Sequence, residues 1–204
     1  MQFMESEMSN PKIAIIYYST YGTNHGVAQA AAKAAEEAGA EVRLRRIPET
    51  APAEVVNGQD AWKAAAEAQS DIPEVSLDDV EWADGLFFSS PTRFGSVASQ
   101  TRAFIDTLGP LWQRGALADK AVTATTSAQN QNGGTETALQ ALYVSFMHWG
   151  AVIVPPGYTD PVKFEDGGNP YGFSTQPGAL DEVGQRSVAH QSKRLVAMAA
   201  KLAS

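Results

Sequence analysis

A short, almost uninterrupted apolar run near the amino terminus constrains the fold most. Residues 12–18 read Lys-Ile-Ala-Ile-Ile-Tyr-Tyr, without the polar alternation of a strand that faces water on one side. Such a strand is typical of a parallel sheet whose two faces are covered by helices. The alanine-rich stretch from Asn24 to Ala38 is a predicted helix, and Gly39 stands where a helix-terminating glycine belongs. The chain is therefore predicted to begin with a strand and a crossover helix.

The alternation of strand and helix continues along the chain. The polar region from 48 to 82 is predicted to hold a short helix near residues 60–68. Apolar side chains at helical spacing predict one helix capped by Ser96, a second that starts near Thr135 and a last one that runs to about Leu202. Further strands are predicted at residues 41–47, 85–90, 120–126 and 151–154.

Five strands that alternate with helices predict an α/β fold. The strand count and the chain length favour a flavodoxin-like doubly wound five-stranded parallel sheet, with strand order 2-1-3-4-5. The Pro- and Gly-rich segment 155–178 is too long for an ordinary connection from a strand to a helix, so we expect an insertion after strand five. Its Tyr158, Tyr171 and Phe173 suggest that it covers another part of the molecule.

Composition excludes several classes of site. The chain of 204 residues has no cysteine, which excludes disulfides, thiolate catalysis, iron–sulfur clusters and cysteine zinc sites. The histidines at positions 25, 148 and 190 are scattered, so no metal site is expected. The formal net charge of −8 argues against broad binding to nucleic acid or to anionic lipid.

The amino terminus lacks the pattern of a targeting signal. Residues 1–10 carry Glu5 and Glu7 where a signal peptide has an apolar run, and no uncharged run approaches the ~20 apolar residues of a membrane-spanning helix. We therefore expect a cytoplasmic protein without membrane insertion. Residues 1–10 are predicted to form a disordered tail, and residues 11–204 a single domain.

Three unusual loops follow the first, third and fourth predicted strands, at the sheet edge where doubly wound folds bind ligands. The first loop, residues 19–24, offers the hydroxyls of Ser19, Thr20 and Thr23 at a helix N-terminus, which is suited to a phosphate. Neither the Walker pattern nor the G-x-G-x-x-G dinucleotide pattern is present. A capping loop without a ligand remains an alternative explanation of these residues.

The other two loops are suited to a flat heterocycle. In the second loop, residues 90–96, Pro91 stiffens the strand exit and Gly95 lets the backbone approach a ring, with Arg93 or Phe94 beside it. The third loop, residues 126–134, is rich in side-chain amides. A helix-entry turn and a polar linker are the alternatives here. Outside the loops, the helix dipole and ordinary packing explain a lone His148 and an isolated Trp112.

The chain resembles the WrbA family, the tryptophan-repressor-binding-protein type of NAD(P)H:quinone oxidoreductase. The resemblance extends over essentially residues 11–203, and the matching segments occur in the family's order. These segments are Tyr17-Tyr-Ser-Thr-Tyr-Gly, Arg46-Ile-Pro-Glu-Thr, Ser90-Pro-Thr-Arg-Phe-Gly, Leu111-Trp-Gln-Arg-Gly-Ala-Leu, Val152-Ile-Val-Pro-Pro-Gly-Tyr and Asn169-Pro-Tyr-Gly. The resemblance implies a flavodoxin-like fold, non-covalent FMN, NADH or NADPH as co-substrate, and a homotetramer built as a dimer of dimers.

The resemblance also implies roles for individual residues. The first loop would hold the FMN phosphate, and the second and third loops the isoalloxazine ring. Tyr21 matches a position associated with the nicotinamide nucleotide, Trp112 one associated with substrate, and His148 one at the flavin site of a neighbouring subunit. The implied cofactor-binding residues are Ser19, Thr20, Tyr21, Gly22, Thr23, Asn24, Pro91, Thr92, Arg93, Phe94, Gly95, Ser96, Ser127, Ala128, Gln129, Asn130, Gln131, Asn132, Gly133 and His148.

The chain departs from the family pattern at three places. The third loop reads Ala128-Gln-Asn-Gln-Asn before Gly133, where the family is glycine-rich, and it is one residue longer. Trp149 stands where a second histidine often follows His148, and the insertion is shorter than usual. These differences concern individual ring contacts and the substrate preference.

The implied reaction is the two-electron reduction of a quinone to a hydroquinone. Hydride would pass from NAD(P)H to N5 of FMN, and a quinone would then occupy the same pocket, which gives ping-pong kinetics. His148 is a candidate to steer or protonate the reduced quinone. Two alternatives stay open: an electron-carrier flavodoxin, or a non-enzymatic regulatory or binding protein of flavodoxin fold.

Overall fold

The computed structural model describes residues 10–203 of the chain. Apart from Asn10, the tail predicted over residues 1–10 lies outside the described residues. Seven strands are described: β1 (Lys12–Tyr17), β2 (Glu41–Arg46), β3 (Gly85–Arg93), β4 (Ser96–Val97), β5 (Ala121–Ser127), β6 (Val152–Ile153) and β7 (Ser174–Thr175). The eight α-helices are α1 (Thr23–Glu37), α2 (Ala53–Asn57), α3 (Asp60–Ala68), α4 (Leu77–Trp82), α5 (Ser99–Asp106), α6 (Gly109–Gln113), α7 (Thr135–His148) and α8 (Glu182–Leu202).

The sheet has the predicted topology. Its main path runs β2-β1-β3-β5-β6 and every pairing on it is parallel, so the five predicted strands occur in the order 2-1-3-4-5. The prediction of five strands was incomplete, because β4 pairs antiparallel with β3 and β7 pairs parallel with β5. Each of these additional strands has only two residues, too few to show an alternating or apolar pattern in the sequence.

Both faces of the sheet are buried, as the apolar run predicted. Alternate side chains of β1 enter two separate clusters: Ile13, Ile15 and Tyr17 pack with α1 and α8, and Ala14 and Ile16 with the opposite layer. The first helix ends as predicted, because Gly39 adopts φ +87°. Among the described residues, no helix combines the length and the apolar character that a membrane span requires.

The turn after β3 differs from the prediction that Ser96 caps a helix. Phe94 and Gly95 adopt positive φ values of 52° and 80° and form a two-residue turn. That turn pairs Arg93 with Ser96 in an antiparallel hairpin, so Ser96 belongs to β4. The following helix, α5, starts at Ser99 after Ala98, and no side-chain hydrogen bond caps it.

The sheet position next to β5 is occupied by two separate strands, β6 and β7. β6 pairs with the beginning of β5, at Ala121 and Val122, and β7 pairs with its end, at Thr126 and Ser127. The predicted insertion thus leaves the sheet after residue 154 and returns to the same sheet position twenty residues later. Gly172 permits this return, since a Cβ there would overlap the backbone oxygen of Ala124.

A buried ion pair within the insertion presents a carboxylate that is hydrogen-bonded to α8. Lys163 Nζ lies 2.5 Å from Asp166 Oδ2, and their side chains are 0% and 1% exposed. Ser187 of α8 donates a hydrogen bond to the same carboxylate oxygen, and the Gly168 amide donates to the other at 3.0 Å. Three aromatic side chains of the insertion were expected to cover another part of the molecule. Phe173 is buried in the core, while Tyr158 and Tyr171 remain partly exposed.

Candidate active site at the carboxyl ends of three strands

The sheet brings the starting points of the three loops side by side. Tyr17 of β1 is in register with Ser89 of β3, and Pro91 of β3 with Ser127 of β5. Adjacent strands lie about 4.8 Å apart, so the loops that leave these ends are neighbours. The sequence prediction that the three loops meet at one sheet edge is confirmed.

The first loop ends in a helix N-terminus suited to an anion. Gly22, with φ 90°, is the residue before α1, and no side chain among the described residues caps the helix. The first hydrogen bond of the helix runs from the Gly26 amide to the Gly22 oxygen, at 3.0 Å. The amides of the preceding positions therefore lack intrahelical acceptors, and the helix dipole adds positive potential there.

Two buried polar side chains beside these loops lack partners within the described residues. Asn24, in the first turn of α1, is 1% exposed, and neither atom of its amide group has a hydrogen bond. The hydroxyl of Thr92, in the second loop, is buried and unpartnered as well. Leaving such a group without a partner costs about 1–3 kcal/mol, so these atoms are suited to a polar ligand. A phosphorylated, hydroxyl-bearing heterocycle such as FMN matches this set of donors and acceptors.

A chain of hydrogen bonds joins the second loop to the first. Arg93 Nη2 donates to Thr20 Oγ1 at 2.8 Å, and Thr20 Oγ1 in turn lies 3.3 Å from the hydroxyl of Tyr18. The Tyr18 hydroxyl donates to Glu49 Oε2 at 2.7 Å, and Gln100 donates to Glu49 Oε1 at 2.6 Å. The sequence prediction missed Tyr18, Glu49 and Gln100 as site residues, although Glu49 lies in the Arg46-Ile-Pro-Glu-Thr segment.

The ionisable members of this chain keep fixed protonation states near neutral pH. Burial, the largest influence, raises the pKa of Tyr18, so the phenol stays protonated. Burial also raises the pKa of Glu49, but hydrogen bonds from the Ala51 amide, Tyr18, Gln100 and the Thr50 amide outweigh it, and the net pKa is lowered. Glu49 is thus an acceptor that orders the site rather than a proton donor.

The second and third loops contact each other through two glycines. A Cβ on Gly134, which has φ 81°, would lie 2.8 Å from the Gly95 Cα. Phe94 projects from the turn beside Gly95 and is fully exposed, at 107%. The third loop is fixed at its start by the Ala128 amide, which donates to the Thr175 oxygen of β7 at 3.0 Å. These contacts set the spacing between the two loops predicted to hold a ring.

The amide-rich part of the third loop faces outward. Ala128 is buried, whereas positions 129–132 are exposed. Asn130, Gln131 and Asn132 border a groove of about 650 Å³ whose far side is formed by β7 and the beginning of α8. The exposed amides are therefore placed at the edge of this groove.

Trp112 and His148 contact each other but lie away from the three loops of their own chain. The Trp112 Nε1 donates to the His148 backbone oxygen at 3.2 Å, and both residues are exposed. His148 ends α7, while Thr135, at the other end, adjoins the third loop. The helix has 14 residues and spans about 20 Å. Within one chain, the structure thus brings these two predicted residues together without bringing them to the predicted cofactor residues.

Two other side chains at the first loop are placed by aromatic contacts. Tyr21 is 55% exposed, donates to Gln59 Oε1 at 2.9 Å, and meets Trp62 edge to face at 6.2 Å between ring centroids. His25 stacks on Tyr17 at 5.5 Å, and burial lowers its pKa, so its imidazole is neutral at pH 7. Over residues 10–203, no cluster of three or more His, Asp or Glu side chains is arranged to hold a metal ion.

Comparison with known proteins agrees with this geometry. Residues 11–161 match the family described as NADPH-dependent FMN reductase. The chain is 57% identical over 193 residues to a Deinococcus radiodurans protein named NAD(P)H dehydrogenase (quinone), with 94% of this chain and 96% of the relative covered. A protein of the same name from Azorhizobium caulinodans is 39% identical, with 94% and 98% covered.

Solved structures support the fold. A flavodoxin, WrbA-like protein from Agrobacterium tumefaciens matches with a TM-score of 0.67 at 19% sequence identity, over 94% of this chain and 98% of that one. An oxidised flavodoxin from Bacillus cereus matches with a TM-score of 0.61 at 17% identity, over 90% and 97% of the two chains. At these identities the likeness shows the flavodoxin-like fold alone.

Proposed function

The chain belongs to the NADPH-dependent FMN reductase family, and from that membership we propose that it is an FMN-dependent NAD(P)H dehydrogenase that reduces quinones. Relatives that share this name cover nearly the whole chain. The observation that carries the proposal is the uncapped start of α1 beside the buried, unpartnered amide of Asn24. These groups support the proposal because they are suited to an anionic, hydrogen-bonding ligand at the sheet edge.

The residues of the three loops divide the work of binding. The α1 amides and the hydroxyls of the first loop bind the phosphate of FMN, while backbone groups of the second and third loops hold its ring. When bound, FMN supplies the redox chemistry, since it accepts a hydride at N5 from NAD(P)H and passes two electrons to a quinone. The chain's own contribution is orientation and a preorganised polar surface. If the two substrates occupied the same pocket in turn, the kinetics would be ping-pong.

The group that delivers a proton to the reduced quinone lies outside the hydrogen-bonded chain of Tyr18 and Glu49. Tyr18 stays protonated and Glu49 stays ionised near neutral pH, so neither delivers a proton to a reduced quinone. We assign that role to His148 of a neighbouring copy, because an imidazole can act as a general acid. If His148→Ala leaves quinone turnover unchanged, this assignment is wrong.

A homo-oligomer would bring that histidine to the site, and we propose a tetramer. Trp112 and His148 sit at the end of α7 opposite to the loops, so their predicted roles require a second subunit. Val144 and Met147, on the same helix face as His148, are 51% and 57% exposed, and Trp112 beside them is 58% exposed. An exposed apolar patch of this kind marks an interaction surface.

The test is spectroscopic. Purified protein is mixed with FMN, NADH or NADPH is added without oxygen, and 1,4-benzoquinone follows. We expect the flavin absorbance to bleach with the nicotinamide nucleotide and to recover with the quinone. Bound flavin that NAD(P)H fails to reduce would indicate an electron carrier instead. Protein that binds no FMN would indicate a regulatory or binding role.

A further inference from the structure

A second cavity lies on the side of the first loop that faces away from the second and third loops. It has a volume of about 270 Å³ and lies between Tyr18 and Ser19 on one side and residues of α2 and α3 on the other. Arg46 at the end of β2 and the following residue, Ile47, also line it. None of the roles proposed above for the three loops uses this space.

The walls of this cavity are suited to a flat aromatic ring. Ile47, Val56 and Ala66 provide apolar surface, and Trp62 adds an indole that is half-buried. The ring of Trp62 is held in place by its edge-to-face contact with Tyr21. Small-molecule sites are of this type, with apolar and aromatic walls and a few polar groups that fix orientation.

The charged groups of the cavity and Gln69 already have hydrogen-bond partners, so they do not demand a charged ligand. Gln69 donates from Nε2 to the Ser19 backbone oxygen at 3.0 Å, and Glu49 accepts from Tyr18 and Gln100. Arg46 donates to the Ile72 oxygen at 2.9 Å and pairs with Glu74 at 2.8 Å. The exposed Asn57, at the rim, offers an amide to the edge of an entering ring.

The second loop extends a positive charge towards the first loop, which borders this cavity. Arg93 is held over the first loop by its 2.8 Å hydrogen bond to Thr20, and its charge acts on Tyr18, which lines the cavity. A ligand that reaches from the second loop into the cavity passes this guanidinium. Arginine binds phosphate groups well, often through two hydrogen bonds.

We propose that this cavity receives the adenine ring of the nicotinamide nucleotide, stacked on Trp62, while its diphosphate passes Arg93. The inference rests on the proposed function, which places the nicotinamide over the second and third loops. The cavity borders β1 and β2, whereas those loops leave β3 and β5, a separation of two to three strand spacings, or roughly 10–15 Å. A dinucleotide spans such a distance with a diphosphate between its rings. A quinone does not fit this position, because it must contact the flavin.

Binding of ADP-ribose to the FMN-loaded protein tests the proposal, since ADP-ribose keeps the adenosine diphosphate and lacks the nicotinamide. We expect Trp62→Ala to weaken ADP-ribose binding about tenfold in calorimetry, because the aromatic face on which the adenine stacks is lost. Trp62→Phe should retain most of the affinity. Lys63→Ala, a neighbouring exposed residue of α3 outside the cavity, is the matched control and should bind like wild type.

Steady-state kinetics separate this inference from the proposed function. In Trp62→Ala, the KM for NADH should rise by the same factor, while turnover with 1-benzyl-1,4-dihydronicotinamide, which has no adenosine, stays at the wild-type rate. Equal losses with both donors, unchanged ADP-ribose affinity in Trp62→Ala, or displacement of ADP-ribose by benzoquinone would each overturn the proposal. Failure of the proposed function looks different, because neither donor would then support quinone reduction in the wild-type protein.

Discussion

Arg93 and Thr20, 73 residues apart in the sequence, are joined by a 2.8 Å hydrogen bond from the guanidinium Nη2 to the threonine Oγ1. This bond fixes the second loop against the first. Without it, the two loops are free to separate, and both belong to the predicted FMN site. We expect Arg93→Ala to weaken FMN binding about tenfold, since hydrogen bonds of charged groups contribute about 1.5–3 kcal/mol.

Quenching of flavin fluorescence on titration measures this affinity. Arg93→Lys should recover part of it, because the charge remains but the forked donor is lost. Arg114→Ala is the control, since Arg114 pairs with Glu81 on the surface and touches none of the three loops. Equal FMN affinity in Arg93→Ala and wild type would show that the bond between the loops does not support the site.

Asn24 is expected to lower the stability of the apoprotein and to strengthen the binding of FMN. Its amide is buried and has no partner within the described residues. Asn24→Leu replaces it with an apolar side chain of similar size and should raise the free energy of unfolding of the apoprotein by about 1–2 kcal/mol. The same change should lower FMN affinity. Urea denaturation and a flavin titration measure the two effects, and a variant that is less stable yet binds FMN normally would contradict this account.

Gly134 is expected to control the spacing of the second and third loops. Gly134→Ala forces a Cβ to within 2.8 Å of the Gly95 Cα and should lower FMN affinity as well as the thermal midpoint. Gly39→Ala is a matched control, because Gly39 also has positive φ, at +87°, but a Cβ added there would meet no atom within 4 Å. It should carry the backbone strain of about 1 kcal/mol without loss of FMN affinity. Equal FMN affinities in both variants would exclude the steric effect.

The buried Lys163–Asp166 pair should make the insertion sensitive to acid. Burial alone raises the pKa of Asp166, but hydrogen bonds from Lys163, Ser187 and the Gly168 amide outweigh it, so the net pKa is lowered. A carboxylate with a lowered folded pKa stabilises the protein above its unfolded pKa of about 3.9, and this stabilisation is lost as the pH falls through the folded value. Urea denaturation between pH 3 and 7 should show this loss in wild type.

Substitution separates this pair from other acidic groups. Asp166→Asn leaves a buried lysine without its partner and should cost about 3–5 kcal/mol at pH 7. Lys163→Met combined with Asp166→Asn removes both charges and should recover most of that loss. If the double variant were as unstable as the single one, the cost would come from packing rather than from the unpaired charge.

The proposed oligomer gives a further expectation. Met147→Glu places a charge in the exposed apolar patch around Trp112, and a charge buried in an interface is costly. We expect the variant to dissociate in light-scattering measurements and its quinone turnover to fall about tenfold, with FMN still bound. Glu136→Gln, at the other end of α7, should leave both unchanged. A wild-type monomer with full turnover would disprove the role of a second subunit.

Patterns that repeat over a helix or a long strand were sufficient to predict most of the fold. Thr135 was correctly identified as a helix start, because apolar residues at i, i+3, i+4 and i+7 follow it. Ser96 was misassigned as a cap, because its side-chain chemistry suits a cap equally well, and only the positive φ values of Phe94 and Gly95 direct it into a hairpin. The β7 strand was missed because two residues carry no periodicity.

The parts of the site that follow directly from the order of strands and loops could be predicted from the sequence. The parts that depend on contacts between residues distant in the sequence could not. The three loops could be located, since each follows a strand of a parallel sheet. Nothing local indicates that Arg93 reaches Thr20, or that the Trp112 indole reaches the backbone of His148, 36 residues away. The burial of Lys163 is equally hidden, because lysine is normally exposed and its partner lies in an irregular segment.

The pairing of both β6 and β7 with β5 has a consequence for how the chain can be re-engineered. Both junctions of the segment between β6 and β7 are anchored on β5, by Val154 donating to the Val122 oxygen at 2.7 Å and Thr126 to the Phe173 oxygen at 3.1 Å. The hydrogen-bonding frame of the sheet therefore does not depend on the length of what lies between them. A different segment grafted onto the same two anchors, with the Lys163–Asp166 pair and its contact to Ser187 retained, would reshape the groove beside the third loop while the cofactor loops stay in place.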